Sequence, residues 1–243
     1  MSRIFITGSA DGLGYLAAKS LVEKGHKVVL HARNPERSRD ALKKLPGAEN
    51  AVTGDLSNIE EIIKVAEQVN ALGLFDAVIH NAGVYRASAK DVFTVNTLAP
   101  YILTCLIHKP ERLIYLSSGM HLSGQAKLEC FQNNISSITY SDTKLHVVVL
   151  SKAAARKWPE VFSNSVDPGW VPTRMGGPGA PDDLQKGYET QVWLAVSNDK
   201  NALVSGKYFH HQKIQRCNPE ADDTGLQNKF LDICEKITGI AFP

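Results

Sequence analysis

Cysteine is scarce in this chain of 243 residues: there are four, Cys105, Cys130, Cys217 and Cys234. None sits in a CxxC pair or near a histidine at metal-ligand spacing, so the expectation is reduced thiols, no disulfide framework and no structural metal. Long apolar runs are also missing. No stretch of about 18 apolar residues exists that could span a bilayer, and the opening MSRIFITG is patterned like a strand rather than a signal peptide. A cytoplasmic protein with no membrane contact is expected. An excess of either charge is absent as well, the formal net charge being +2. Nothing therefore points to nucleic acid as a partner. There is no repeat, low-complexity segment or linker, so residues 1–243 are expected to form a single domain.

What is present is an alternation. RIFIT, KVVLHA, NAVTGD, DAVIHN, RLIYLSS, NSVDPG and GKYFH read as seven short strands, and helical patterns such as LGYLAAKSLVEKG and IEEIIKVAEQVNALG lie between the early ones. Strands alternating with helices predict an α/β fold, a doubly wound parallel sheet with helices on both faces. For the helix from Ile59, Ser57 is the expected N-cap with Glu60 completing a capping box, and Ile59, Ile62, Ile63, Ala66 and Val69 form its core stripe. Trp193 reads as core packing on a later helix.

TGSADGLG, residues 7–14, follows the first strand and opens the first helix. Gly8, Gly12 and Gly14, with Ser9, Asp11 and Leu13 among them, are spaced GxxxGxG. Between a strand and a helix, such glycines let the backbone approach a pyrophosphate whose charge the helix N-terminal N–H groups favour. A dinucleotide site is expected here. At the end of the second strand, HARN places Arg33 where an acidic residue would meet a ribose 2′-hydroxyl, with Arg37 one turn on. A planar guanidinium suits a 2′-phosphate, so NADP(H) is favoured over NAD(H). Asp11, an anion within the glycine loop, argues the other way.

Later in the chain come NAG at 81–83, a serine pair ending the fifth strand, and YSDTK at 140–144. With GxxxGxG before them, these motifs in this order resemble the short-chain dehydrogenase/reductase family from residue 3 to about residue 210. The stretches ARN, LSSGMH and SGKYF look most like its retinol dehydrogenase and carbonyl reductase branches. The resemblance implies a Rossmann-type fold. It implies that Asp55 and Leu56 of GDL meet the adenine end of the cofactor, and that Asn81, Ala82 and Gly83 lie beside it. It also implies that Pro168, Gly169, Val171 and Thr173 of PGWVPT surround the nicotinamide carboxamide.

The catalytic set implied is Ser118, Tyr140, Lys144 and Asn96. A tyrosine titrates near ~10. An ammonium one helical turn away, helped by an oxidised nicotinamide, is expected to lower that value and to let Tyr140 serve as general acid or base. Ser118 is expected to donate to the substrate oxygen. Ser117 reads as a strand-end hydroxyl bonded to backbone, and Asn96 matches the asparagine that holds a water next to the lysine.

Two departures from the commonest family pattern stand out. The 119–139 segment is long and would wall a substrate cleft; His121, Gln125 and Asn134 there could contact substrate but read rather as loop polarity. The segment from Asn96 to Ser118 is short, and Pro110 in HKPER breaks a helix that family tetramers pack against its mate, so a dimer or monomer is expected. Tyr85, Trp170 and Met175 suggest a small apolar carbonyl or alcohol substrate, and the Gly/Pro-punctuated loop from Arg174 to Gly187 suggests a lid. The function expected is NADP(H)-dependent hydride transfer. The alternatives are an NAD-dependent alcohol dehydrogenase and a dinucleotide-sensing protein without turnover.

Overall fold

The computed structural model describes residues 1–243. One sheet of eight strands runs through the molecule in the order β3-β2-β1-β4-β5-β6-β7-β8. The first seven strands, β1 (Arg3–Ile6), β2 (Lys27–Ala32), β3 (Asn50–Thr53), β4 (Ala77–His80), β5 (Arg112–Leu116), β6 (Phe162–Asp167) and β7 (Tyr208–His210), are parallel. The largely apolar content of β1, β2, β4 and β5 follows from burial on both faces, whereas β6 (FSNSVD) buries the polar Ser163, Asn164 and Ser165. Side chains alternate between two cores with the period of two that a pleated strand imposes. Phe5, Val29, Val78, Leu113 and Tyr115 enter the larger core. Their neighbours Ile4, Ile6, Leu30, Ile79, Ile114 and Leu116 enter the smaller one on the other face.

The eighth strand is one more than the sequence pattern indicates. β8 (Lys213–Gln215) is an exposed antiparallel edge strand hairpinned to β7 through His211 and Gln212. Both turn residues are left-handed, at φ +47° and +62°. Asn-Gly or Asp-Gly ordinarily marks such a turn, and neither occurs here.

The smaller core is covered by α1 (Gly12–Glu23), α2 (Pro35–Lys44) and, further along the chain, α8 (Leu184–Val196). The larger is covered by α3 (Ile59–Ala71), α4 (Ala89–Phe93), α5 (Ala99–Leu106), α6 (Cys130–Asn133), α7 (Tyr140–Lys157) and α9 (Thr224–Thr238). α5 ends well before Pro110, as the sequence indicates. Between α4 and α5 a π-helical turn, Thr94–Leu98, carries Asn96. Wide turns of this kind mark local constraints and recur at functional sites.

The cap of α3 differs from expectation. Asn58, not Ser57, accepts from the Glu61 N–H at 3.0 Å. Ser57 instead donates its hydroxyl to Asp55 Oδ1 at 2.8 Å, and Glu61 rather than Glu60 reaches back, to the Asp55 N–H at 2.6 Å. The expected apolar stripe is present, with Ile62, Ala66 and Val69 fully buried and Ile59 and Ile63 packed against the core. Trp193 packs edge-on against Phe209, ring centroids 5.7 Å apart.

Strand order reverses between β1 and β4, whose C-terminal ends open a crevice where open α/β sheets bind ligands. The GxxxGxG loop, NAG, the end of β5 and the start of α7 all converge there.

Candidate active site

A cavity of about 530 Å³ occupies that crevice. At one end it is lined by Gly8, Asp11, Gly12, Leu13, Arg33, Asp55 and Leu56. Asn81, Ala82 and Gly83 form its middle, and Tyr140, Lys144, Pro168, Thr173 and Met175 its other end.

The glycine loop divides its labour. α1 is the exception among the longer helices that follow a loop: Asn34, Asn58, Thr139, Asp183 and Asp223 cap α2, α3, α7, α8 and α9 with side-chain acceptors, whereas Asp11 makes no such bond at α1. The first-turn N–H groups of a helix have no intrahelical partner. Those of α1 are therefore free to meet an anion, and the site fits a dinucleotide's pyrophosphate.

Gly8 contributes shape rather than a donor. At φ +62° it packs on Ala82, whose Cα would lie 3.0 Å from a Cβ added there. Its N–H already donates to His31 Nδ1 at 3.0 Å. His31 is buried and neutral, with Nε2–H donating to the Gly54 carbonyl at 2.9 Å, and burial lowers its pKa to about 4. One imidazole thus ties the glycine loop to the segment after β3 that carries Asp55. The sequence pattern pointed past His31 to its neighbour Arg33, because a lone histidine on a strand carries no motif.

Two other loop residues are also structural. Ser9 is fully buried, its hydroxyl donating to the Ile6 carbonyl and accepting from the His31 N–H at 2.8 and 2.9 Å, so it does not face the cavity. A Cβ on Gly14 would stand 2.4 Å from Asn81 Nδ2 and 2.6 Å from the Gly8 carbonyl oxygen. Gly14 is a glycine for close packing, and Asn81 fills the space by donating to the Thr7 and Gly8 carbonyls at 2.9 and 3.1 Å.

At the adenine end, Arg33 and Asp55 belong to one ion pair, Nε to Oδ2 3.8 Å. Burial acts to raise the Asp55 pKa, but the Ser57 hydrogen bonds and Arg33 outweigh it and hold the carboxyl below its usual range. Arg37 pairs with Asp11 at 2.5 Å, so the loop anion is neutralised from within.

At the opposite end, Thr139 caps α7 in a reciprocal box with Asp142, which sets Tyr140 as the first residue of the helix. Lys144 follows one turn later, buried, with Nζ 5.4 Å from the centre of the Tyr140 ring and donating to the Leu116 carbonyl at 2.8 Å. Burial lowers the Lys144 pKa to about 8 against the opposing pull of Asp167. Tyr140 moves opposite to expectation. Burial raises its pKa well above the ordinary value, Asp167 and Tyr85 raise it further, and the Ser118 hydroxyl pulls it down only in part. The ammonium lies over the ring, and burial together with Asp167 and Tyr85 holds the phenol protonated. Its O–H points at Met175 Sδ, 3.9 Å away.

Ser117 behaves as expected, donating to the Lys144 carbonyl at 2.7 Å. Ser118 is half-buried next to Tyr140, while Ser117 and not Ser118 is among the residues lining the cavity, and the Ser118 hydroxyl accepts from the Met120 N–H at 3.3 Å. Asn96 is buried: Oδ1 accepts from Val84 N–H at 2.8 Å, and Nδ2 donates to the Val84 carbonyl at 2.9 Å and to Thr143 Oγ1 at 3.1 Å. It clamps the segment after NAG to α7. A Cβ on Gly83 would stand 3.3 Å from Lys144 Nζ and 3.4 Å from Asn96 Oδ1, so Gly83 leaves these two groups room to flank it.

In PGWVPT, Pro168 and Thr173 line the cavity, whereas Val171 is buried against Gly187 and lies behind it. Gly169, at φ +78°, is a turn residue whose missing Cβ would meet Asp182 Oδ2 at 2.6 Å. In the 119–139 segment, Gln125 and Asn134 are exposed. His121 is the exception to the expected loop polarity: it is fully buried, with both ring nitrogens hydrogen-bonded.

Comparison with known proteins agrees with this geometry. Residues 2–183 match the family model for short chain dehydrogenases. The Emericella nidulans oxidoreductase AN7799 is 45% identical, the match covering 100% of this chain and 99% of that protein. The short-chain dehydrogenase chyC of Penicillium rubens is 40% identical, with 100% of both chains covered. Among solved structures, a blue fluorescent protein from a metagenomic library in complex with NADPH superposes with a TM-score of 0.70 at 16% identity, over 86% of this chain and 95% of that one. With a family model matched across most of the chain and full-length relatives at this identity, the dinucleotide crevice and the tyrosine–lysine turn have one joint explanation: the protein is an oxidoreductase of the short chain dehydrogenase family, which uses a nicotinamide cofactor.

Proposed function

We propose that the protein is an NADP(H)-dependent carbonyl reductase, able to run in reverse as an alcohol dehydrogenase, for small apolar substrates. The observation that carries this reading is the meeting of Tyr140 and Lys144 at one end of a cavity whose other end holds Arg33 and the uncapped α1 N-terminus. The bound cofactor supplies the hydride. Arg33 would hold a 2′-phosphate, the α1 amides the pyrophosphate, Asp55 and Leu56 the adenosine end, and Pro168 and Thr173 the nicotinamide end.

The remaining work falls to side chains. A carbonyl that accepts hydride gathers negative charge on oxygen, and on this reading Tyr140 protonates it while Ser118 donates to the same atom. The elevated pKa of Tyr140 keeps the phenol protonated at neutral pH, the form that reduction needs. Lys144 remains mostly cationic at pH 7 and favours the phenolate left after proton transfer. Asn96 holds the Val84 backbone against α7 and so keeps Gly83 beside the lysine.

Exposed Tyr85 and Met175 line this end of the cavity with apolar area, which suits a hydrophobic carbonyl better than a sugar. Met175 contacts the phenol where a carbonyl oxygen would bind, so its side chain, at the start of the Arg174–Gly187 loop, must move to admit substrate. The test is titration of NADPH and NADH by nicotinamide fluorescence, then a panel of apolar aldehydes and ketones. Tight NADPH, weak NADH and reduction of panel members are expected. Equal affinity for the two cofactors would remove the assignment of NADP(H), and binding without any turnover would leave a sensor.

A further inference from the structure

His121 follows Ser118 by three residues, in a tight turn spanning Gly119–Ser123. Its ring is sealed from solvent and lies on Tyr208, centroids 4.4 Å apart. Nδ1 is 2.8 Å from the Ser118 carbonyl oxygen, and Nε2 is 3.2 Å from the Asn218 main-chain nitrogen. Neither partner can exchange roles, since a carbonyl only accepts and a peptide N–H only donates. The ring must therefore be neutral and carry its proton on Nδ1.

Asn218, in sequence 97 residues away, completes the bracket. Its Nδ2 donates to the Gly124 carbonyl at 2.9 Å and to the His121 carbonyl at 3.3 Å, while its Oδ1 accepts from the Glu220 N–H at 3.0 Å. Glu220 in turn accepts from the Ala126 N–H at 2.9 Å. The Ser118 hydroxyl bonds to Met120 N–H inside the same turn, and Gly119 has little room to shift: a Cβ there would lie 3.0 Å from Asp167 Oδ2.

We propose that His121, through its bond to the Ser118 carbonyl, is a positioning residue that aims the Ser118 hydroxyl at the substrate oxygen, and that the Asn218 side chain braces the same turn through the His121 and Gly124 carbonyls, so that the segment after β8 is a working part of the active site. The proposal rests on the reductase reading. A donor displaced by about 1 Å from a reacting oxygen loses on the order of 10²-fold in rate.

Three variants separate the two bonds. H121F keeps a ring on Tyr208 and loses both; H121Q places an amide where Nε2 was and loses the bond to Ser118; H121N places an N–H where Nδ1 was and keeps it. The expected result is a fall in kcat of about 10²-fold for H121F and H121Q, with KM and cofactor affinity within about threefold, and recovery of most of kcat in H121N. A general structural role would instead make activity follow thermal stability in all three. Full kcat in H121F, or an equal loss in H121N, overturns the proposal. ¹⁵N shifts of the His121 ring in the wild-type protein provide a second test that needs no turnover and no folded variant. A bare Nε2 with Nδ1–H is required, and Nε2–H overturns it. A wild-type protein that reduces no carbonyl refutes the reductase reading instead, and the ring tautomer then still decides whether the bracket exists.

Discussion

Arg37 Nη2 lies 2.5 Å from Asp11 Oδ2, so the one anion in the phosphate-facing loop is matched by a cation from the next helix. On the proposed NADP(H) reading Asp11 need not repel a 2′-phosphate, and Arg33, its side chain 65% exposed and only its Nε paired with Asp55, can turn its fork to that phosphate. Arg33→Ala should weaken NADPH about 10- to 100-fold and NADH little, the loss expected for a hydrogen bond between charged groups. Fluorescence titration of both cofactors checks this; an equal effect on the two would remove the phosphate clamp.

Tyr140→Phe keeps the aromatic contact with Tyr85, at 4.8 Å between centroids, and removes only the hydroxyl. Turnover should be abolished while cofactor affinity stays nearly intact. Isothermal titration beside a rate assay would distinguish this from a structural defect, because loss of cofactor binding contradicts the assigned role.

Lys144 loses its charge as pH rises through about 8. Carbonyl reduction should accordingly decline above that pH, well before the free-lysine range. A pH–kcat profile flat to pH 10 would argue that the ammonium is not used. Burial of the neutral amine also has a stability consequence. The unfolded chain binds the proton up to about 10.5, so this group's contribution grows as pH rises from about 8 to that value.

His31 and His146 are buried, each with its pKa lowered to about 4 by burial, and His80 to about 3. They are neutral when folded and take up protons on unfolding below about 6.5. Their contribution to stability is complete above that pH and is lost as pH falls toward 4. Urea midpoints should drop across this window, with the slope approaching about three protons taken up on unfolding. A midpoint unchanged between pH 7 and 5 would contradict it.

Gly14→Ala would ordinarily strengthen a helix by about 1 kcal/mol. Here the added Cβ meets Asn81 Nδ2 and the Gly8 carbonyl oxygen at 2.4 and 2.6 Å, both held in place by hydrogen bonding or by the loop's own backbone. Overpacking of about 1–3 kcal/mol should win. A lower thermal midpoint and weaker binding of both cofactors are expected, and a stabilised variant would show that the loop can yield.

Local patterns were enough to identify the parallel α/β sheet, the glycine loop and the Tyr140–Lys144 turn, because each depends on spacing within a few residues: period two in strands, one helical turn, a strand running straight into a helix. The Pro110 break and the Ser117 backbone bond were legible for the same reason. Tertiary structure alone decided how the hydrogen-bonding groups are shared. Gly8 gives its N–H to His31, 23 residues on. Ser9 turns inward, His121 is gripped by Asn218, and Met175 lies against the Tyr140 hydroxyl 35 residues before it. Burial decided the direction in which Tyr140 and Lys144 shift, since spacing places a charge on a helix face but does not say whether water reaches it. A polar group sealed from water needs whichever partner the fold brings within reach, and that partner leaves no mark in its sequence neighbourhood.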